Sequence, residues 1–276
     1  MTSFSGTIGV FDSGVGGLSV LQHIRAALPD AHLVYVADSA YVPYGDKSPL
    51  YIESRSHILS RFLIEQGAEA IVIACNTATA AAAGGLRSRY ALPIIGMEPA
   101  VKPAVTASKR GVVGVLATVG TLESARFAAL LERYAGNVKI VTQGCPRLVE
   151  VVERGDLQST EARQLVERYT APLLKNGADT IILGCTHYPF LAPLIREVVG
   201  SKITLIDTGM AVARELKRRI ALELPKPPSS DLEEVLARPT GTERFYTSGD
   251  PVSAARIMSR LWGKAVDVLR LPSAET

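Results

Sequence analysis

The chain has 276 residues, of which 47% are apolar and 21% charged, with a formal net charge of +3. This balance is typical of a globular protein with ample material for a core, and it argues against an extended disordered chain. Positive charge is concentrated only at residues 217–219, which argues against a nucleic-acid-binding surface.

The N-terminal sequence and the cysteines both indicate a cytoplasmic protein. Residues 1–9 lack a basic segment followed by an apolar one, and no later stretch reaches the roughly 20 apolar residues that span a bilayer. We therefore expect no membrane partner. Cys75, Cys145 and Cys185 are odd in number and widely spaced, which predicts free thiols in a reducing compartment.

Short apolar runs rich in β-branched residues recur along the chain and predict strands. The first set covers residues 7–11, 33–36, 70–74 and 94–96, and the second covers 112–117, 138–141, 180–183 and 203–206. Amphipathic segments long enough for helices separate the runs, which is the rhythm of a βαβ fold. The runs show little polar alternation, so the strands should be buried on both faces in mainly parallel sheets.

The two sets of strands overlay, which indicates an internal duplication. Residues 67–77 match residues 177–187 at a constant shift of 110, and residues 8–13 match residues 113–118 at a shift of 105. The sequence therefore predicts an α/β protein of two similar lobes. Each lobe should be a mainly parallel sheet flanked by helices, and a pseudo-twofold axis should relate the two.

The C-terminal segment has no counterpart between the lobes, and we expect it to pack back on the first lobe. It begins with a proline-rich link at 224–230, followed by a strand at 244–247 and a helix that starts at Asp250 and Pro251. An active site should lie in the cleft between the lobes. The predicted lobes are residues 1–97 plus 208–276, and residues 98–207.

Cys75 and Cys185 are equivalent in the duplication, and each ends a predicted strand where a helix begins. Ligands of open α/β sheets bind beyond the carboxyl ends of the strands, so both thiols can face one cleft from opposite sides. That arrangement suits inversion at a carbon atom, because a carbanion formed on one face must be reprotonated on the other. An isolated cysteine at the end of a strand is more often a core residue. The polar residue pairs at 76–77 and 186–187, which follow both cysteines, favour a catalytic role instead. Cys145 lacks such neighbours and is interpreted as structural, or at most as a lining residue.

Four further polar features are candidates for function, and two of them, Asp12 and segment 42–45, also have a structural interpretation. The glycine-rich segment 12–17 follows the first strand, where its N–H groups could hold an anion, but its spacing is not the dinucleotide fingerprint. Asp12 either caps the following helix or tunes a nearby thiol. Segment 42–45 is either a simple turn or a loop that closes over a ligand. His187 is suited to proton transfer near neutral pH, and its spacing from Cys185 is not that of a zinc site, so no metal is expected.

Six segments resemble the glutamate racemases, within the wider aspartate/glutamate racemase superfamily. They are residues 11–18, 37–45, 74–78 (Ala-Cys-Asn-Thr-Ala), 116–121, 145–153 and 183–189 (Leu-Gly-Cys-Thr-His-Tyr-Pro). The resemblance implies conversion of L-glutamate to D-glutamate without pyridoxal phosphate or another cofactor, feeding peptidoglycan synthesis. The departures are mild: Ala-Asp-Ser at 37–39 replaces Gly-Asp-Thr, and Thr-Ala at 79–80 replaces Ser-Ala.

The resemblance also implies roles for individual residues. Cys75 and Cys185 would be the two catalytic bases, assisted by Asp12, His187 and Glu153. The implied substrate contacts are Asp12, Ser13, Tyr44, Gly45, Asn76, Thr77, Thr118, Thr121, Thr186 and His187.

Two other functions stay open at the level of sequence. Aspartate racemases are similar, but such relatives often have Glu at the position of His187, which favours glutamate here. A ligand-binding regulatory protein that has lost turnover would keep the cleft, although retention of both thiols counts against it. Glutamate is the predicted small-molecule partner, no nucleic-acid partner is expected, and a homodimer is left open.

Overall fold

The computed structural model describes residues 4–224 and 241–272. Strands in these residues form two parallel sheets flanked by helices, so the predicted two-sheet α/β fold is confirmed. The first sheet contains β1 (Thr7–Asp12), β2 (His32–Ala37), β3 (Ala68–Ile73), β4 (Ile94–Ile95), β9 (Glu243–Thr247) and β10 (Val268–Arg270) in the order β10-β9-β2-β1-β3-β4. The second contains β5 (Val112–Ala117), β6 (Lys139–Gly144), β7 (Thr180–Leu183) and β8 (Thr204–Ile206) in the order β6-β5-β7-β8.

Helices connect the strands of each sheet. They are α1 (Leu18–Ala27), α2 (Pro49–Glu65), α3 (Asn76–Arg89), α4 (Val101–Ala107), α5 (Val119–Leu122), α6 (Ala125–Tyr134), α7 (Leu148–Glu153), α8 (Thr160–Lys175), α9 (Ala192–Val199), α10 (Gly209–Glu223) and α11 (Pro251–Trp262). Two 3₁₀ helices, Tyr44–Asp46 and Tyr188–Leu191, follow β2 and β7. All eight strands predicted in the two sets are present, and their ends differ from the prediction by at most three residues.

The two lobes repeat one packing detail, which supports the predicted duplication. A Cβ on Gly9 in β1 would lie 2.9 Å from Cβ of Leu63 in α2, so the glycine lets that helix approach the sheet. In the second lobe a Cβ on Gly114 in β5 would lie 2.7 Å from Cδ1 of Leu173 in α8. The glycines are related by the shift of 105 and the leucines by the shift of 110, and both leucines are fully buried.

Strands within residues 241–272 extend the first sheet. Strand β9 pairs in parallel with β2, and β10 pairs with β9. Arg25 of α1 forms an ion pair with Glu243 at 2.8 Å, and Asp250 caps α11 by accepting a 2.8 Å hydrogen bond from the Ser253 N–H. Most of the predicted proline-rich link, residues 225–230, lies outside the described residues. The predicted lobe boundaries stay a prediction.

No helix among residues 4–224 and 241–272 is both long and apolar enough to cross a membrane.

Candidate active site

The carboxyl ends of the central strands from both sheets meet at one cavity. Eleven of the thirteen predicted site residues line this cavity. The other two, Asp12 and Glu153, lie behind the lining residues. The predicted role of Asp12 as a substrate contact stays a prediction. The cavity is lined by Ser13, Pro43, Tyr44, Gly45, Cys75, Asn76, Thr77, Thr118, Thr121, Val149, Gly184, Cys185, Thr186 and His187. Cys75 comes from the first lobe and Cys185 from the second, so the duplication brings the two thiols to a shared space.

Cys75 sits at the start of α3, where its side chain replaces the usual capping hydroxyl. Its Sγ accepts a hydrogen bond from the Ala78 N–H at 3.4 Å, and its thiol is 3.9 Å from the Ser13 hydroxyl oxygen. Burial raises the pKa of the Cys75 thiol, and the nearby Asp12 charge raises it further. Both effects favour the protonated form of the Cys75 thiol.

Cys185 has a different partner. It follows β7, and its Sγ lies 3.7 Å from Nδ1 of His187. On the other side of the imidazole ring, Nε2 lies 2.6 Å from Oε1 of Glu153. Burial lowers the pKa of His187, but the hydrogen bonds to Cys185 and Glu153 outweigh that effect and raise it well above its ordinary value. His187 is thus placed to exchange a proton with the Cys185 thiol.

Asp12 lies beneath the cavity at the end of β1 and is fully buried. Its carboxylate accepts hydrogen bonds from the Ser13 N–H at 2.7 Å, the Gly17 N–H at 2.6 Å and the Thr186 hydroxyl at 3.3 Å. Burial raises the pKa of Asp12, while the charge of His187 lowers it. Asp12 therefore fixes the loop below Cys75 and also reaches a residue beside Cys185.

The glycine-rich loop that connects β1 to α1 makes room for groups of the second lobe. A Cβ on Gly14 would lie 2.7 Å from Cδ of Glu153, and a Cβ on Gly16 would lie 2.6 Å from Cε1 of His187. The Val15 N–H between these glycines donates a 2.7 Å hydrogen bond to Oε1 of Glu153. The missing side chains therefore allow the Glu153–His187 pair to lie against the loop, a role that the glycine spacing alone did not reveal.

Uncharged polar groups cover other parts of the wall. The hydroxyl oxygens of Thr77, Thr118 and Thr121 lie within 2.9 to 3.2 Å of one another. Asn76 is 5% exposed, yet neither its amide nitrogen nor its amide oxygen has a hydrogen-bond partner among the described residues. Buried polar groups are normally paired, so the Asn76 amide is available for a bound ligand.

Tyr44 is held in place by groups outside the cavity that the sequence did not single out. Its hydroxyl donates a 2.5 Å hydrogen bond to the buried carboxylate of Asp38. The Arg55 guanidinium donates two hydrogen bonds to the same carboxylate, at 2.9 and 2.7 Å.

Val149 and Gly184 also line the cavity and were not predicted. An apolar residue in a helix, such as Val149, gives no sequence signal of a site.

Comparison with known proteins identifies the family of this chain. The Asp/Glu/hydantoin racemase family model matches residues 8–216. The chain belongs to this racemase family. Among the family's glutamate racemases, that of Stutzerimonas stutzeri is 53% identical over 99% of this chain and 100% of its own length.

Solved structures of glutamate racemases superpose over nearly the full chain. A glutamate racemase isoform from Bacillus anthracis has a TM-score of 0.84 at 32% identity, covering 97% of this chain and 98% of its own. Escherichia coli glutamate racemase, in complex with L-glutamate and the activator UDP-MurNAc-Ala, has a TM-score of 0.83 at 31% identity, with coverage of 97% and 98%. The described residues contain no group of three or more His, Cys, Asp or Glu arranged to hold a metal ion.

Proposed function

We propose that this chain racemises glutamate by moving a proton between Cα of the substrate and the thiols of Cys75 and Cys185. The observation that carries the proposal is that these two thiols, one from each lobe, line a single cavity. Membership of the racemase family and full-length similarity to glutamate racemases support glutamate as the substrate.

In the proposed reaction, one cysteine thiolate removes the Cα proton and becomes a thiol. The electron pair left on Cα is delocalised into the α-carboxylate, and the opposite thiol then donates its proton to the other face of Cα. The substrate leaves inverted, and the two cysteines have exchanged protonation states. The reverse reaction uses the same groups in opposite roles, so no cofactor is consumed or needed for balance.

The developing negative charge needs fixed donors, because such preorganised groups supply much of the rate in enzymes. Candidate donors are the N-terminus of α3, the hydroxyls of Thr77, Thr118 and Thr121, and the Asn76 amide, which has no hydrogen-bond partner among the described residues. The ammonium group of the amino acid adds a positive charge, which favours the thiolate form of a neighbouring cysteine. Substrate binding therefore offsets the raised pKa of Cys75.

The decisive experiment follows circular dichroism while protiated L-glutamate reacts in D₂O. One cysteine takes protium from Cα, and the other, already exchanged with solvent, delivers deuterium. Early D-glutamate should therefore be almost fully deuterated, while unreacted L-glutamate stays largely protiated. Because deuterated D-glutamate reverts more slowly, the signal should cross zero, overshoot and decay back to zero.

Three outcomes would contradict the proposal. Substantial protium in D-glutamate isolated at low conversion would indicate a single base that serves both faces. Turnover of aspartate but not glutamate would favour an aspartate racemase, and binding of glutamate without turnover would favour a regulatory protein. Cys145→Ala serves as the matched control, since its thiol should not take part.

We also propose that the enzyme works in the cytoplasm and that its D-glutamate enters peptidoglycan synthesis. The three free cysteines support the compartment, because thiols persist where the surroundings are reducing. A homodimer is a further proposal, which sedimentation equilibrium would test directly.

A further inference from the structure

A buried tyrosine lies directly beneath the glycine-rich loop. Tyr35 in β2 is fully buried, and its hydroxyl donates a 2.7 Å hydrogen bond to the carbonyl oxygen of Gly14. A Cβ on Gly17 would approach the same hydroxyl to 2.9 Å, so the oxygen fits against the loop at two points. The first sheet thereby supports the loop from below.

The peptide group that Tyr35 contacts is the one that contacts the second lobe. The Gly14 carbonyl and the Val15 N–H belong to a single planar peptide unit, so fixing the oxygen also fixes the direction of the N–H. That N–H donates to Oε1 of Glu153 at 2.7 Å, and the same oxygen lies 2.6 Å from Nε2 of His187. A hydrogen bond received by the carbonyl also polarises the peptide and strengthens its donation through nitrogen.

We propose that Tyr35 is a positioning residue for racemisation, whose hydroxyl orients the Gly14–Val15 peptide so that Glu153 holds His187 beside Cys185. The proposal rests on the proposed function. It assigns the tyrosine a role in the reaction although the side chain does not line the cavity. The connection runs through the loop to Glu153 and through the imidazole to the thiol.

The test replaces only the hydroxyl, as Tyr35→Phe, which keeps the ring packed against Phe245. Losing one hydrogen bond of ordinary strength predicts that kcat falls by about 3-fold to 10-fold while KM changes little. The matched control is Tyr246→Phe in the adjacent strand β9, whose hydroxyl lies 3.3 Å from Gln66 Oε1 outside the site. Both variants lose a buried tyrosine hydroxyl, but only Tyr35→Phe should lower kcat.

A double-mutant cycle separates positioning from general loss of stability. If Tyr35 acts through Glu153, Tyr35→Phe should cost almost nothing in kcat when Glu153→Gln is already present. An equal cost in both backgrounds, or a normal kcat for Tyr35→Phe, would overturn the proposal. Equal losses in Tyr35→Phe and Tyr246→Phe would also overturn it.

A second readout does not depend on activity. The ¹⁵N resonances of His187 report its titration, and the ring is surrounded by Cys185, Glu153 and Asp12, none of which Tyr35→Phe alters. A loosened bond to Glu153 should lower the pKa of His187 in Tyr35→Phe but not in Tyr246→Phe. If the wild type does not racemise glutamate, the proposed function fails, while an unchanged His187 titration contradicts the Tyr35 proposal by itself.

Discussion

Gly16 offers a direct test of where His187 lies, because the missing side chain leaves the space that the imidazole ring occupies. A Cβ at Gly16 would lie 2.6 Å from Cε1 and 2.7 Å from Cγ of that ring. The ring atom Nδ1 would lie closer still. Carbon atoms in ordinary contact stay at least about 3.4 Å apart, so the ring or the loop must retreat by at least about 0.8 Å. Gly16 is not among the described glycines with positive φ, so its backbone can accept alanine.

A shift of that size disturbs the 3.7 Å approach of His187 to Cys185 and its 2.6 Å contact with Glu153. Misplacing a catalytic group by about 1 Å can cost roughly 10²-fold, so we expect Gly16→Ala to lose between about 10-fold and 100-fold in kcat. Circular dichroism with each glutamate enantiomer measures the loss. Gly84→Ala in α3 is the matched control, because a Cβ there meets nothing within 4 Å. A normal kcat for Gly16→Ala would refute the placement of the ring.

Four further predictions concern the same site. Cys75→Ala and Cys185→Ala should fold, as judged by far-ultraviolet circular dichroism, but should not racemise glutamate. Cys145→Ala should stay active. Near-normal turnover in Cys75→Ala or Cys185→Ala would refute the two-thiol mechanism. Asp12→Asn and His187→Asn should lower kcat by roughly 10²-fold to 10⁴-fold, and a rise in KM alone would make them binding groups. The pKa of His187 is raised, so its charged form stabilises the folded protein at pH values below about 6.5, the ordinary pKa of histidine. This stabilisation is lost as the pH rises through the raised pKa. The difference in unfolding free energy between wild type and His187→Asn should therefore shrink at alkaline pH. Activity should survive dialysis against chelators and carbonyl reagents, and restoration of lost activity by zinc or pyridoxal phosphate would contradict this.

The fold was predictable because its strands carry a strong local signal. Strands buried on both faces are nearly continuous apolar runs, and the repeat at 67–77 and 177–187 fixed which runs are equivalent. Strand ends were harder to predict. Strand β6 continues to Gly144, three residues beyond its predicted end. The prediction stopped early because the half-exposed end of this strand includes the polar residues Thr142 and Gln143. An alternating edge strand resembles a loop in sequence.

The two thiols were predictable as a pair, and the family resemblance named Asp12, Glu153 and His187, but the contacts that hold these partners in place were not predictable. A glycine in a sequence indicates backbone freedom or close approach, without naming the distant side chain that approaches it. The contacts of Gly14 with Glu153 and of Gly16 with His187 join residues more than a hundred positions apart. Tyr35 likewise reads as an apolar strand residue, because only the folded chain places its hydroxyl under the loop.

Duplication supplied a thiol to each lobe, and divergence gave the two thiols different partners. Under the shifts of 105 and 110, Asp12 corresponds to Ala117 and His187 corresponds to Thr77. Each lobe has therefore kept a charged partner at a position where the other lobe has an alanine or a threonine. The carboxylate of Asp12 raises the pKa of one thiol, while an imidazole lies against the other.

In the proposed mechanism such unequal partners bias which thiol carries the proton, and each enantiomer reacts from only one of the two protonation states. The bias cannot favour one direction overall, because enantiomers have equal free energy in an achiral solvent and kcat/KM must be the same for both. The bias can appear only in the separate constants: kcat and KM each differ between L- and D-glutamate, and both differ by the same factor. Removing the bias at one face, as in His187→Asn, should change that common factor while the two kcat/KM values stay equal to each other. A variant whose two kcat/KM values differ would show that the assay is not measuring a racemisation.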